Sequence, residues 1–263
     1  MTAALDRTFA VLELLAQHPN GLSVQSVAET LSLAPSATHR LLNDLVRLGY
    51  AAQPQTNRDY VLTLRFAALG LGYLGRLGVG DVIQPVLEAL AAESRELVRL
   101  SLVDGDQLVW VAVAQGATSG LRYDPAREQG VVVPLAYSAG GRAWAASLDP
   151  LRARDLILQQ GVTPPAGAVE GCTLRIEEIE AMLVRDRALG FSEAVDCFEA
   201  GMAALAVVVR RPEGQVIGCL SIAGPSVRLT SDRRRALLPA LQQAAQTVGE
   251  LLPASPLLCW SKP

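Results

Sequence analysis

Five side chains at helical spacing carry the first recognisable chemistry in this sequence: Ser36, His39, Arg40, Asn43 and Arg47. On a helical wheel they fall within roughly 100° of one another. The stripe holds two guanidinium groups, a carboxamide, an imidazole and a hydroxyl but no acid, and Asp44 lies off its centre. Arg bonds guanine bidentately, Asn bonds adenine, and Ser or His can reach phosphate or base edges, so these types suit a helix in the DNA major groove. The plain alternative is a solvated helix face. Thr38, Leu41, Leu42, Leu45 and Leu48 cover the other side and are expected to pack inward; Thr38 is nevertheless kept among the candidate DNA contacts. Arg58, beside Asn57 in a polar loop, is placed to touch phosphate or the adjacent minor groove.

A second constellation, Ser138-Ala139-Gly140-Gly141, stands at an expected helix start. Small residues there expose backbone N–H groups and the positive end of a helix dipole, which favours a carboxylate. Ordinary capping with close packing is the competing reading. A carboxylate pair could be drawn from Glu193, Asp196 and Glu199, but neighbouring loop carboxylates are usually solvated.

The surrounding elements follow from periodicity and punctuation. Leu5, Phe9, Leu12 and Ala16 form one helical stripe, and Asn20-Gly21 ends that helix. Ser23 reads as the N-cap of a short second helix, and Pro35 sits in the first turn of a third that ends at Gly49. Two short extended segments around the tip QPQTNRD then read as a hairpin. Helix, helix, short turn, helix, hairpin is the order of a winged helix-turn-helix.

The stretch 64–80 reads as a connecting helix that frays at its glycines, and 81–94 as an amphipathic one. Beyond it, Leu97–Val103 and Leu108–Ala114 flank Asp104-Gly105-Asp106, a hairpin signal. Further strands are expected at 131–134, 191–195, 203–210 and 215–223, with helices at 138–148, 151–160, 174–189 and from Thr230. The division reads as a DNA-binding domain at 1–64, a linker helix at 65–80 and a second domain at 81–253. That second domain is expected to be α+β with hairpin connections, not a parallel doubly wound sheet.

Composition sets bounds on these readings. The chain has 263 residues, half of them hydrophobic, enough to bury a sizeable core. The net charge is −3, and over residues 1–75 five arginines (7, 40, 47, 58, 65) balance five acids (6, 13, 29, 44, 59). DNA binding there requires positive charge gathered on one face. No apolar run reaches the roughly 18 residues that span a bilayer. The N-terminal stretch carries an acid and a base within an amphipathic pattern, unlike a signal peptide. Cys172, Cys197, Cys219 and Cys259 form no CxxC pair, so reduced thiols, a cytoplasmic location and no metal or other cofactor are expected. Both histidines, His18 and His39, lie in the first domain, leaving the larger one without a base for a hydrolase triad. Neither GxSxG nor a P-loop occurs, and catalysis is not expected.

The stretch DRTFAVLELLAQHPNGLSVQSVAETLSLAPSATHRLLNDLVRLGY resembles the N-terminal domain of the IclR family of bacterial transcription regulators. Ser36, His39, Arg40, Leu41, Leu42, Leu45, Gly49 and Tyr50 stand at matching places, with Ala37 where the family usually has Thr. PLAYSAGGRAWAA (134–146), LGFSEAVDCFEAGMAALAVVV (189–209) and GQVIGCLSIAGPSVRLT (214–230) resemble the family's C-terminal segments. The resemblance implies a winged helix-turn-helix followed by a GAF-like α/β domain that binds a small effector and mediates dimer or tetramer formation. It places the effector near Ser138, Ala139, Gly140 and Gly141, with Cys197, Ala204, Ser221 and Ala223 as further lining. Ala136, Ala194, Ala204 and Ala223 stand where the family often has polar side chains. With Trp110, Tyr137 and Trp144 as possible neighbours, the expected effector is an aromatic or otherwise apolar acid. The implied protein is a regulator, a repressor rather than an activator, reading double-stranded operator DNA through its third helix and wing.

Overall fold

The computed structural model describes residues 4–54, 58–123 and 129–252, and the chain divides into two compact units between Tyr73 and Leu74. The first unit contains α1 (Ala4–Ala16), α2 (Val24–Thr30), α3 (Pro35–Arg47) and the antiparallel pair β1 (Ala51–Ala52) and β2 (Val61–Leu62). The Ser23 hydroxyl accepts the Ser26 N–H at 3.1 Å and caps α2. Gly49 takes φ +80° just past α3, a conformation open to glycine at little cost. Leu22 pairs with Tyr60 across the hairpin's base. Val11, Leu15, Val27, Leu42, Leu45 and Tyr60 form the core.

Two packing expectations change here. In α1 the buried residues are Val11, Leu12, Leu14 and Leu15, all in the C-terminal half. Leu5 and Phe9 remain 65% and 53% exposed, so of the stripe drawn through Leu5, Phe9, Leu12 and Ala16 only Leu12 is buried. Leu48, expected inside, is the C-cap residue of α3 and is exposed, because the chain turns away from the helix there.

Helix α4 (Leu64–Arg76) crosses the division and buries none of its residues. The spacing Gly70-x-Gly72-x-x-Gly75 matches a dinucleotide-binding fingerprint, but it lies inside α4 and not in a turn that opens a helix, so it cannot cradle a phosphate that way. A π-helical turn at Val79–Ile83 leads into α5 (Gln84–Ser94). Among the described residues no single helix is long and apolar enough to cross a membrane.

The second unit is built on a five-stranded sheet of β3 (Leu97–Asp104), β4 (Gln107–Gln115), β5 (Ser192–Val195), β6 (Met202–Arg210) and β7 (Val216–Pro225). Its order is β4-β3-β7-β6-β5 and every pairing is antiparallel. The expected strand at 131–134 reduces to a single bridge, Val132 to Val109. Strand alternation divides the apolar side chains between two cores. Val98, Leu100, Leu205, Val207, Leu220 and Ile222 face α5 and α9 (Ser231–Leu251). Leu108, Trp110, Ala194, Ala206 and Cys219 face α6 (Ala139–Ser147), α7 (Pro150–Gln160) and α8 (Ile176–Leu189).

One irregularity in the sheet sets the direction of an aromatic side chain. Leu100 pairs with Ala112 while Ser101 pairs with Trp110, which leaves Val111 as a bulge in β4. Trp110 therefore points to the α6 side, while Ala112 and Ala114, the same even parity, point to the α5 side.

Candidate nucleic-acid interface and ligand cavity

On α3 the structure leaves Ser36, His39, Arg40, Asn43 and Arg47 exposed together, while Leu42 and Leu45 anchor the opposite face in the core. Arg40 Nε donates to the Ser36 carbonyl at 3.4 Å, and the Asn43 amide lies 3.4 Å from the His39 ring nitrogens. The Tyr60 hydroxyl donates to Asn43 Oδ1 at 3.2 Å. Arg47 is paired with Asp44 at 3.1 Å, both side chains largely exposed, so its charge is partly spent within the helix. Arg58 is exposed in the wing, and its carbonyl accepts the Gln53 side-chain amide at 2.8 Å; Asn57 lies outside the described residues.

Thr38 requires correction. It is fully buried and its hydroxyl donates to the Ala34 carbonyl at 3.2 Å, so it cannot reach DNA. One turn before Leu42, it faces the core and bonds back along its own helix to satisfy its hydroxyl.

In the second unit a cavity lies between the sheet and the start of α6. It is lined by Trp110, Ser138, Ala139, Gly140, Ala204, Ser221 and Ala223, together with Arg99, Tyr123, Ala194 and Phe198. Cross-strand register assembles its floor: Ala194 opposes Ala204, which opposes Ala223, and Arg99 opposes Ser221. At the α6 end the Ser138 hydroxyl accepts the Gly141 N–H at 2.9 Å and donates to the Pro134 carbonyl at 2.7 Å. The N–H groups of Ala139 and Gly140, in the first turn of the helix, therefore stand at the cavity wall with the positive end of the helix dipole.

Four residues expected at this cavity serve elsewhere. Gly141 lies behind the wall: a Cβ there would stand 2.3 Å from the Pro134 carbonyl oxygen, so its role is close approach of backbones. Cys197 points away, its thiol donating to the Val195 carbonyl at 3.1 Å. Tyr137 is a core residue whose hydroxyl donates to the Val162 carbonyl at 2.7 Å and accepts the Leu174 N–H at 3.2 Å. Trp144 is buried in the same core.

Arg99 is the principal residue that sequence reasoning missed. It is 6% exposed, and its guanidinium carbon lies 5.1 Å from the Trp110 ring centre, 5.4 Å from that of Tyr123 and 6.0 Å from that of Phe198. Trp110 and Phe198 meet edge to face at 5.8 Å. Three rings stand around this one buried guanidinium and stabilise its charge through their faces. The signal was present: Arg99 and Ser101 alternate with Val98, Leu100 and Leu102 on a central strand, placing polar groups in an otherwise apolar layer.

The cavity's free volume is about 30 Å³, the share of roughly one water molecule. A guest of more than a few atoms therefore needs side chains of the lining to move. A larger groove of about 870 Å³ lies along α5 and the end of β4, with Gln84, Glu88, Arg95 and Arg228 on its walls. It is open to solvent, and Arg228 there is already bound through two nitrogens to the buried Glu96 carboxylate, each at 2.8 Å. The carboxylate raises the Arg228 pKa, so that guanidinium is committed.

Comparison with known proteins agrees with this geometry. Residues 4–55 match the IclR helix-turn-helix domain and residues 71–250 match the bacterial transcriptional regulator IclR C-terminal domain. The chain is 27% identical over 252 residues to the transcriptional regulator BhcR of Paracoccus denitrificans, covering 92% of this chain and 85% of that one. It is also 27% identical over 252 residues to the DNA-binding transcriptional repressor YiaJ of Escherichia coli, covering 95% and 87%. Among solved structures, an IclR homolog from Microbacterium hydrocarbonoxydans complexed with 4-hydroxybenzoate superposes with a TM-score of 0.75 at 21% identity, over 96% of this chain and all of that one. The helix-turn-helix domain implies DNA binding, and the chain belongs to the IclR family of bacterial transcriptional regulators.

Proposed function

We propose that this regulator is a cytoplasmic repressor that binds a near-palindromic operator as a homodimer or homotetramer and responds to a small aromatic or otherwise apolar carboxylic acid. Ser36, His39, Arg40, Asn43 and Arg47 would read the major groove, with Arg58 on the flanking backbone. Two copies of α3 would enter successive grooves about one helical turn apart. Support for association comes from exposed apolar surface: Leu5 and Phe9 on α1, and Leu64, Leu69 and Leu71 on α4.

The observation that carries the ligand class is Arg99, a buried guanidinium ringed by Trp110, Tyr123 and Phe198 and facing the start of α6. A carboxylate would bond the N–H groups of Ala139 and Gly140 and gain from the Arg99 charge, while its ring replaces one of the aromatics. Alanine at 194, 204 and 223 keeps the floor apolar.

Titration calorimetry with 4-hydroxybenzoate and 4-hydroxybenzyl alcohol tests the reading, because the pair differs only in the carboxylate. Binding of the acid alone, lost in Arg99→Met, is expected. Equal binding of the alcohol would overturn the acid assignment.

A further inference from the structure

Two loops of the second unit are laced together by their backbones. Val169 donates its N–H to the Asp196 carbonyl at 3.2 Å, and Ala200 donates to the Gly167 carbonyl at 2.7 Å. This brings Cys172, ahead of α8, and Cys197, after β5, close enough for their thiols to influence one another. Both are free thiols, half-buried, packed at the edge of the α6–α8 core.

Three features distinguish the pair from two cysteines that merely pack. The buried Arg142 guanidinium lies near both sulfurs, and its charge favours the thiolate form of Cys172. Burial, together with the neighbouring thiol, nevertheless holds Cys172 above its ordinary pKa, so Cys172 rests as the thiol. Each cysteine also follows a residue in the left-handed region, Gly171 at φ +83° and Asp196 at φ +59°, so both side chains are presented from tight turns and not from regular strands. Cys219, by contrast, is fully buried, and its thiol is pushed far up by desolvation, which marks it as inert packing.

We propose that Cys172 and Cys197 form a redox-modified site, oxidised by a hydroperoxide to an intramolecular disulfide and returned by a thiol reductant. One sulfur, as thiolate, attacks the peroxide oxygen; the O–O bond breaks, and the departing hydroxide takes a proton to leave as water. The second sulfur attacks the resulting sulfenic acid; the S–S bond forms, the S–O bond breaks and a second water leaves. Two thiols lose two electrons in all, and hydrogen peroxide becomes two waters.

The site touches the ligand cavity through one peptide bond. Cys197 precedes Phe198, whose ring lines the cavity and abuts Trp110. With room for about one water, the cavity admits a guest only if a ring such as Phe198 swings aside. A disulfide at Cys197 restrains that swing, so oxidation lowers acid uptake. This coupling, unlike the disulfide itself, rests on the ligand assignment made above.

Peptide mapping of the full chain separates the two claims. Trypsin places Cys172 in 155–175 and Cys197 in 188–210, apart from Cys219. After hydrogen peroxide, a cross-link between these two peptides is expected, reversed by dithiothreitol and absent in Cys172→Ser and in Cys197→Ser. Both thiols staying alkylatable, or bridges formed only between chains or to other cysteines, would overturn the proposal. Affinity for 4-hydroxybenzoate should fall roughly tenfold on oxidation, within the usual range of coupling between sites; unchanged affinity would overturn the coupling. If the cross-link forms but the reduced protein binds no acid, the ligand assignment fails while the redox site stands.

Discussion

The Tyr60 hydroxyl, carried into the first unit's core at the base of the wing, donates to Oδ1 of Asn43 on the exposed face of α3 at 3.2 Å. A core residue thereby fixes which way a surface carboxamide presents its donor. With Oδ1 engaged, the Asn43 NH2 is turned toward its other neighbours, the His39 ring among them. Tyr60→Phe should cost about 0.5–1.5 kcal/mol of stability, the usual net value of one such bond. It should also loosen base preference at the position Asn43 reads, measurable as a flattened profile in competition binding with single-base operator variants. An unchanged profile would mean that Asn43 does not read a base.

Arg40 and Arg47 should separate in the same assay. Arg40→Ala is expected to weaken operator binding by about 1–3 kcal/mol, the scale of one guanidinium contact. Arg47→Ala should cost less, because Arg47 already spends part of its charge on Asp44. Fluorescence anisotropy on labelled operator, at several salt concentrations, gives both values.

Gly140 and Gly141 are adjacent yet predict opposite results. A Cβ at Gly141 would stand 2.3 Å from the Pro134 carbonyl oxygen and 2.6 Å from the Leu135 Cα, so Gly141→Ala should cost about 1–3 kcal/mol through overpacking. A Cβ at Gly140 meets its nearest neighbour, the Cys219 Cβ, at 3.8 Å, an ordinary contact. Gly140→Ala should therefore fold normally while lowering acid affinity, because Gly140 lines the cavity. Thermal denaturation paired with calorimetry distinguishes the two.

Arg142 and Asp186 are both almost fully buried, with Nε and Oδ2 3.4 Å apart. Burial pulls the Arg142 pKa below its ordinary value, and Asp186 opposes that shift. Asp186→Asn should destabilise by about 3–5 kcal/mol because it strands a buried cation. The double variant Arg142→Met with Asp186→Leu should recover most of that loss in urea denaturation. A double variant as unstable as the single one would show that the pair does more than neutralise its own charge.

Association through the apolar surface predicts that Phe9→Glu with Leu69→Glu gives a folded species of lower mass in sedimentation. These side chains are 53% and 58% exposed, so the chain itself has little packing to lose.

The first unit was legible almost element by element, because its signals are local. Ser23, Pro35 and Gly49 punctuate helices, and the α3 stripe declares its own faces. Thr38 was misplaced among DNA contacts because its hydroxyl suits either role; only the Ala34 carbonyl decides it. In the second unit the succession of strands and helices and the hairpin connections could be read, though not the sheet order, and the α6 start was located within a residue. The cavity was legible only in part, since it depends on register between strands far apart in sequence. Ala194, Ala204 and Ala223 form a row through pairings that no local pattern encodes. Arg99 was overlooked although it and Ser101 alternate with apolar residues, because only the pairing across the sheet shows that their side of the strand is covered. Cys197 and Gly141 have the right position and the wrong direction, which a residue match cannot reveal.

The bulge at Val111 has a consequence for how this sheet could change over time. Because Leu100 pairs with Ala112 and Ser101 with Trp110, β4 carries one residue more than its pairing with β3 requires. Losing that codon would leave every side chain of the strand on its present face and restore an unbroken ladder. Losing either neighbour's codon would also return the ladder to regular pairing, but would remove Trp110 or Ala112 itself. Val111 thus gives the strand a spare residue beside Trp110, one whose loss would leave the faces of the sheet as they are.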